Sequence, residues 1–546
     1  MSEQRISRKT RYGRINALTL ALSRIVQYFN RWRLALLIFL LIYTAFLLLD
    51  LGFGAVLWDE PPHLNDGLLL SRGQLQEYVQ EGSRYPPLFD LITALYFKIF
   101  GISVFSARLV AVTFGVLSVW AVFEFAHRLY GPRSALISSV LLASMPGFVW
   151  LSRMALLETM LIFFFSISLL SFFLWMQTNN NKMLLLSGVT LGLAFLVKYQ
   201  ALVGGIIMLA TMFIWGRERI RAKIGKFLLL LIIAGAVILP LVVFTIIQYA
   251  GGGSLDTWLY VAQVGSEGTL TYSRRFPFPV FYLIEMTHPY SDIHPISLVA
   301  YIPALLGLGF WLLRRRREDK FSLIWFFVVY AIFEIIPAKS WRYVTLVFPI
   351  LAVSASGFLL LIWDKLKDDL RKYQTRLCKV DTNKVATAFL ICMVLFLVFF
   401  SSLNAYSWVK KDHVYVPVDE AGRYVAERAG INETVVLCSG NFFSVDMVEF
   451  YLQVYNPDQD EPWSYPELPI DVYTPLFNVT ELIERSESMN ANYLLLFEHG
   501  NNTFFQSELT SQHVLEMMLN SNQFIVENEF GSFPRRIFII RFSPNP

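Results

Sequence analysis

Between residues 34 and 403 the chain repeats one pattern, long apolar runs separated by short polar segments. The runs fall at 34–57, 104–126, 134–151, 157–176, 183–197, 200–216, 227–249, 296–313, 321–337, 343–363 and 385–403. Many are long enough for a helix to cross about 30 Å of hydrocarbon. The pattern therefore predicts a polytopic α-helical membrane protein with about eleven transmembrane helices. The stretch over 183–216 is the least regular, because only Lys198 separates two short runs. It reads as two spans, a bent pair or a re-entrant segment.

After residue 403 the pattern changes. Polar residues and prolines become frequent, and short β-rich runs appear: TVVLCS at 434–439, YLLLF at 493–497 and RIFIIRF at 536–542. Helical patterns lie between them, as in VDEAGRYVAERAG (418–430) and NVTELIERSESMN (478–490). Strand–helix alternation predicts a small α/β domain. The organisation expected is a basic N-terminus over 1–33, a transmembrane domain over 34–403, and a C-terminal α/β domain over 404–546.

Composition supports this division. Hydrophobic residues make up 55% of the 546 positions and charged residues only 16%, too few to cover a soluble protein of this size. Lys and Arg decide orientation, because they concentrate in segments on one side: 1–33, 127–133, 177–182, 217–226, 314–320 and 364–384. Positive charge marks the cytoplasmic side. This places the N-terminus in the cytoplasm and puts the long loops 58–103 and 250–295, with the tail, on the exterior face. The first apolar run is span-length and lacks a small-residue cleavage site, so it reads as an anchor rather than a signal peptide. Three N-x-S/T sequons, at Asn432, Asn478 and Asn501, fall in the tail. Cys378, Cys392 and Cys438 are divided among a loop, a span and the tail, so no disulfide framework is expected. No retention signal follows, which favours a prokaryotic plasma membrane.

With orientation set, the outer ends of the spans hold an unusual set of ionisable residues. The first run leads into WDEPPHLNDG, with Asp59, Glu60, His63 and Asp66, and the same loop brings Arg84 and Asp90. SRMALLETM adds Arg153 and Glu158, FLVKYQ adds Lys198, and PAKSWRY adds Lys339 and Arg342. An ionisable group at the edge of hydrocarbon is costly, and several on one face suggest a shared pocket. Carboxylates there suit general-base work on a hydroxyl or amine, and Lys and Arg suit a phosphate clamp. Arg153 and Glu158 also read as a simple loop ion pair, and Lys198 as a snorkelling lysine. His63, His288 and His294 are the candidate ligands for a divalent metal ion, the one cofactor considered. Their spacing matches no metal motif, and ordinary polar contacts are the favoured reading for them. There is no P-loop and no G-x-G-x-x-G after a strand, so no nucleotide fold is expected. Nor does any feature point to nucleic acid.

The order and spacing of WDE, YPPLFDLITALYFKIFGISVFSARL, RMALLETMLIFF, GLAFLVKYQ and KSWRYVTLVFPILA resemble the GT-C superfamily of polyprenyl-phosphate-sugar glycosyltransferases. The nearer branch is that of the protein O-mannosyltransferases and the aminoarabinose transferases of lipid A. The likeness covers roughly residues 34–365. It implies Asp59 as catalytic base with Glu60 beside it, and Glu158 as a second acid where relatives often carry Asp. It assigns Lys198, Lys339 and Arg342 to the lipid phosphate; Arg153, from its place at an outer turn, is a further candidate for that phosphate. Tyr85 departs from the pattern, since His or Lys often precedes the double proline, and Arg84 is the neighbour able to stand in. The WWD-type motif of oligosaccharyltransferases does not occur in the tail. The function implied is transfer of a sugar, with inversion, from a polyprenyl-phosphate donor to a protein, lipid or glycan acceptor on the exterior face. The rival expectation is a transporter or lipid-linked-sugar flippase. That class favours inverted repeats and mid-membrane acids, whereas these acids gather at one face.

Overall fold

The computed structural model describes residues 31–53, 56, 59–80, 85–215, 217–248, 276–287, 294–336, 339–373, 381–412, 416–428, 434–438, 445–456, 467–468, 479–488, 490–498, 511–533 and 535–543. The chain is a mostly helical multi-span membrane protein carrying a small C-terminal sheet domain. Among the described residues six helices are long and apolar enough to cross a membrane. Helix α1, Arg31–Leu48, opens the bundle, followed by α2 (Glu60–Arg72), α3 (Leu75–Gln80) and α4 (Leu88–Phe100). Next come α5 (Val104–Tyr130), α6 (Pro132–Ser144), α7 (Pro146–Leu151), α8 (Glu158–Thr178) and α9 (Asn181–Val197). The bundle continues with α10 (Val203–Ile214), α11 (Arg217–Gln248), α12 (Phe281–Glu285), α13 (Leu298–Arg314) and α14 (Arg317–Ile335). A 3₁₀ turn, Trp341–Val347, then leads into α15 (Phe348–Tyr373), and α16 (Thr382–Asp412) closes the bundle.

The first span ends earlier than hydropathy predicts. Helix α1 stops at Leu48 instead of running to residue 57. Asp50 has φ of 49°, a left-handed conformation that a continuing helix does not allow, and Gly52 follows. The 183–216 stretch resolves as two helices. Helix α9 ends at Val197, Lys198 is extended, and a short 3₁₀ turn (Tyr199–Leu202) starts α10.

Helices α5, α8 and α15 form the buried centre, while α1, α11 and α16 leave most of their apolar surface outside the protein. Close helix approach uses small residues. Gly188 and Gly192, spaced as G-x-x-x-G, let α9 lie against α11, where an added Cβ would sit 2.8 Å from the carbonyl oxygens of Leu230 and Ala234. Gly307 in α13 does the same against α15, with Ser354 O 2.0 Å from where a Cβ would be. Helix α4, the segment after the double proline, buries Phe89, Asp90, Thr93 and Phe97 and exposes Leu91, Leu95 and Ile99. An i, i+4, i+8 stripe of bare aliphatic side chains is the face expected of a helix lying along a bilayer.

The tail forms the predicted α/β domain. Strands β1 (Thr434–Cys438), β2 (Glu467–Leu468), β3 (Ala491–Phe497), β4 (Phe524–Ser532) and β5 (Arg535–Phe542) make one sheet in the order β2-β1-β3-β5-β4. The first three strands are parallel, and β5 runs antiparallel to both β3 and β4. Alternation along β3 divides its side chains between two cores. Leu494 and Leu496 face α19 (Val479–Ser488) and α20 (Ser511–Asn520) through Leu482, Val514 and Met518. Tyr493, Leu495 and Phe497 join the larger cluster with α17 (Val418–Arg428) and α18 (Val445–Tyr455). Strand β4 and helices α18 and α20 were not anticipated, because their patterns are short and mixed. The three sequon asparagines lie outside the described residues.

Helix α18 joins this domain to the bundle. Phe450 packs on Phe97 of α4 with ring centroids 6.4 Å apart, and Arg72 of α2 donates to the carbonyl of Gln453 at 2.7 Å. Asn65 Nδ2 reaches the Glu449 carboxylate at 3.5 Å.

The α13–α15 seam gives a direct check. Gly307→Ala forces a methyl onto a backbone carbonyl and should destabilise the protein by about 1–3 kcal/mol. Gly309→Ala, with open space around the added carbon, serves as the matched control. Thermal unfolding in detergent should show a lower midpoint for the first variant alone.

Candidate active site

Four charged side chains from four separate segments meet at the ends of helices. Asp59 occupies the N-cap position of α2, Glu158 is the first residue of α8, Lys198 follows the last residue of α9, and Arg342 lies in the 3₁₀ turn before α15. Helix ends are where a chain that fills a membrane with apolar side chains places its charges, and carboxylates at helix N-termini also gain from the helix dipole. Arg342 is the centre of the group. Its Nη1 donates to Asp59 Oδ2 at 2.7 Å, while Nε and Nη2 lie 3.0 and 2.9 Å from Glu158 Oε1. Lys198 Nζ donates to the same Glu158 oxygen at 3.0 Å.

Exposure separates the two acids. The Glu158 side chain is fully buried, whereas that of Asp59 is 49% exposed. Glu158 therefore anchors the cations, and Asp59 is the carboxylate an incoming molecule can reach. The turn carrying Arg342 is itself braced. Ser340 accepts from the Arg342 amide, and Trp341 packs against Trp150 and Trp408 with centroids 5.9 and 5.6 Å away. Aromatic rings complete the group. Lys198 Nζ lies 5.9 Å from the ring centroids of both Tyr85 and Tyr343. Burial, followed by the negative charge of Asp59, pushes the Tyr85 phenol up to about 12, with Arg342 opposing. Tyr85 is thus a neutral hydroxyl beside the cluster.

Other residues singled out in the sequence lie elsewhere. Glu60 is fully buried and bound by Arg108 through two 2.9 Å hydrogen bonds. Glu60 Oε1 also accepts from the Ala155 amide at 2.7 Å, and Arg108 Nη1 donates to the carbonyl of Leu51 at 3.1 Å. Glu60 thus ties α2 to α5 and to the segment leading into Glu158. Arg153 does not pair with Glu158. It caps the C-terminal end of α1, donating to the carbonyls of Leu47 and Leu49 at 2.7 Å each. Lys339 donates to the carbonyl of Phe333 at 2.9 Å and also to that of Glu334, closing the end of α14. Arg84 and His288 lie outside the described residues.

His63 and Asp90 form a second buried pair, Nδ1 to Oδ1 at 2.8 Å, next to Tyr85, whose ring centroid is 5.3 Å from that of His63. Burial raises the Asp90 carboxyl above the usual range, against the lowering influence of His63. Together with Asp66 these residues make the one group, among those described, with the composition and spacing to hold a metal ion. His294 is not part of it. Arg108 is not among the span-end candidates, although a cation inside the apolar run VFSARLV is itself a signal.

Residues 84–244 match a family model described as dolichyl-phosphate-mannose-protein mannosyltransferase. An uncharacterized protein of Aquifex aeolicus (strain VF5) is 24% identical over 335 residues, covering 59% of this chain and 64% of that protein. The chain therefore spans under two thirds of that relative's length. In three dimensions the chain resembles ArnT from Cupriavidus metallidurans bound to undecaprenyl phosphate, with a TM-score of 0.59, 14% identity, and 93% and 98% of the two chains covered. It also resembles the archaeal oligosaccharyltransferase AglB from Archaeoglobus fulgidus in complex with an inhibitory peptide and a dolichol-phosphate. There the TM-score is 0.55 at 14% identity, over 85% of this chain and 69% of that one. At such identity the likeness establishes the fold.

The two neighbouring acids should behave oppositely. Glu60→Ala leaves Arg108 buried without its carboxylate and should cost about 3–5 kcal/mol of stability. Asp59→Asn keeps its size at a half-exposed position and should leave the unfolding midpoint nearly unchanged. Thermal melts of the two variants, side by side, measure the difference.

Proposed function

We infer that this chain is a membrane glycosyltransferase of the GT-C superfamily, and that it moves a sugar from a polyprenyl-phosphate carrier to an acceptor on the exterior face of the membrane. The reading rests on one observation, the convergence of Asp59, Glu158, Lys198 and Arg342 from four distant segments. That set supplies a reachable carboxylate beside clustered cations, which is the chemistry such a transfer requires.

In the proposed reaction the acceptor nucleophile attacks the anomeric carbon from the face opposite the phosphate, so configuration inverts. Asp59 takes the proton that the nucleophile loses. The bond between the anomeric carbon and the phosphate oxygen breaks, and its electron pair stays on the phosphate. Arg342 and Lys198 stabilise the charge that builds up there. A guanidinium has five N–H donors, more than its two carboxylate partners use, so Arg342 serves a phosphate without leaving Glu158. Glu158 keeps both cations in place and offsets their charge before the donor arrives. The Tyr85 hydroxyl is a neutral donor beside Lys198. The departing group is a phosphate monoester of the lipid, which needs no nucleotide-binding fold to release it.

Membranes containing the protein, given a radiolabelled polyprenyl-phosphate sugar, should pass the label to an endogenous acceptor and release free polyprenyl phosphate. Asp59→Asn should lower the rate about 10²–10⁴-fold. Arg342→Ala should lower it about 10²–10³-fold. Wild-type turnover in the Asp59 variant would remove that residue as base. An intact donor that instead moves between vesicle leaflets would favour the flippase.

A further inference from the structure

We propose that His63, Asp66 and Asp90 bind one divalent cation, which fastens α2 to α4 behind the charged cluster. His63 and Asp66 are three residues apart, so they share a face of α2, and Asp90 comes from the first turn of α4. One ligand atom from each residue lies within 4.8 Å of the others. Two ligands held about 2.1 Å from a common ion stand at most about 4.2 Å apart, so a small contraction completes the site.

The hydrogen bonding of the pair points the same way. The 2.8 Å contact between His63 and Asp90 uses only one polar atom of each side chain. His63 Nε2 and Asp90 Oδ2 are both buried and have no hydrogen-bond partner among the described residues. Burying such atoms without a partner is unfavourable, and a bound cation would satisfy both. One imidazole and two carboxylates, without thiolate, suit zinc or manganese rather than a soft ion. Asp66 is only partly buried, in contrast to the other two, and so gives the ion a way in. Such an ion holds α2 four residues beyond Asp59, and so fixes the position of that carboxylate without contacting substrate.

The test needs no sugar donor, so its outcome is separate from that of the transfer reading. Tag-free full-length protein in detergent is stripped with chelator, reloaded with Zn²⁺ or Mn²⁺, desalted, and its metal content measured by mass spectrometry. Wild type should keep roughly one ion per chain, and its unfolding midpoint should fall when chelator is added back. Asp66→Asn, at a partly exposed position, should fold yet lose the ion and the chelator response. His63→Gln should lose both as well if it folds. Wild-type protein that holds neither metal after desalting overturns the proposal, and so does an Asp66→Asn protein that holds as much as wild type.

Discussion

A carboxylate removed from water must be met by cations, and at Glu158 that requirement organises the site. Its single engaged oxygen draws Lys198 and Arg342 from segments 40 and 184 positions away. An unpaired buried charge costs several kcal/mol, so the bundle closes around this point only when α8, the α9 break and the 3₁₀ turn before α15 are in register. Asp59 then joins at the rim through the free side of the same guanidinium. The chemistry proposed for the site uses an arrangement that burial already enforces.

Around that centre the chain repeats one solution with different parts. Glu60 is held by Arg108, His63 by Asp90, and Glu124 by Arg33 through bonds of 2.9 and 3.0 Å at another helix pair. Open carbonyls at helix ends are closed by cations as well, Arg153 over α1 and Lys339 over α14. Charge in a low-dielectric bundle is retained where it has a fixed partner. Asp59, with its side chain 49% exposed, is the acid of the central group that an incoming molecule can reach, which is what a group that gains and loses a proton requires.

Much of this was legible from the chain alone, and the exceptions have physical causes. Hydropathy located most helices of the bundle because lipid demands continuous apolar runs, although the run over 134–151 is two helices, α6 and α7, divided before Pro146. It overran α1, since Asp50 breaks the backbone while the side chains that follow remain apolar. The charged residues at the span ends could be named, but not their partners. Arg153 lies five positions from Glu158 and binds carbonyls of α1 instead, whereas Arg342, far away in sequence, takes the acid. Sequence distance carries no information about which helix ends become neighbours. Arg108 was hidden by the opposite error, a lone charge inside an apolar run that reads as tolerated noise until its carboxylate is seen beside it. In the tail, strands with strong aliphatic runs stood out, and the edge strand β4, with polar residues along its length, did not.

The stripe of Leu91, Leu95 and Ile99 on α4 has a further meaning. Its other face carries Asp90 and Phe97, which contact α2 and the sheet domain, so whatever fills the space outside α4 acts as one wall of the site. That wall is lipid. The depth at which the stripe floats is set by the thickness of the bilayer, and mismatch costs fractions of a kcal/mol per ångström. Membrane thickness is therefore a variable of this protein's geometry, as much as any residue in it, and a detergent micelle presents α4 with a different neighbour from a native bilayer.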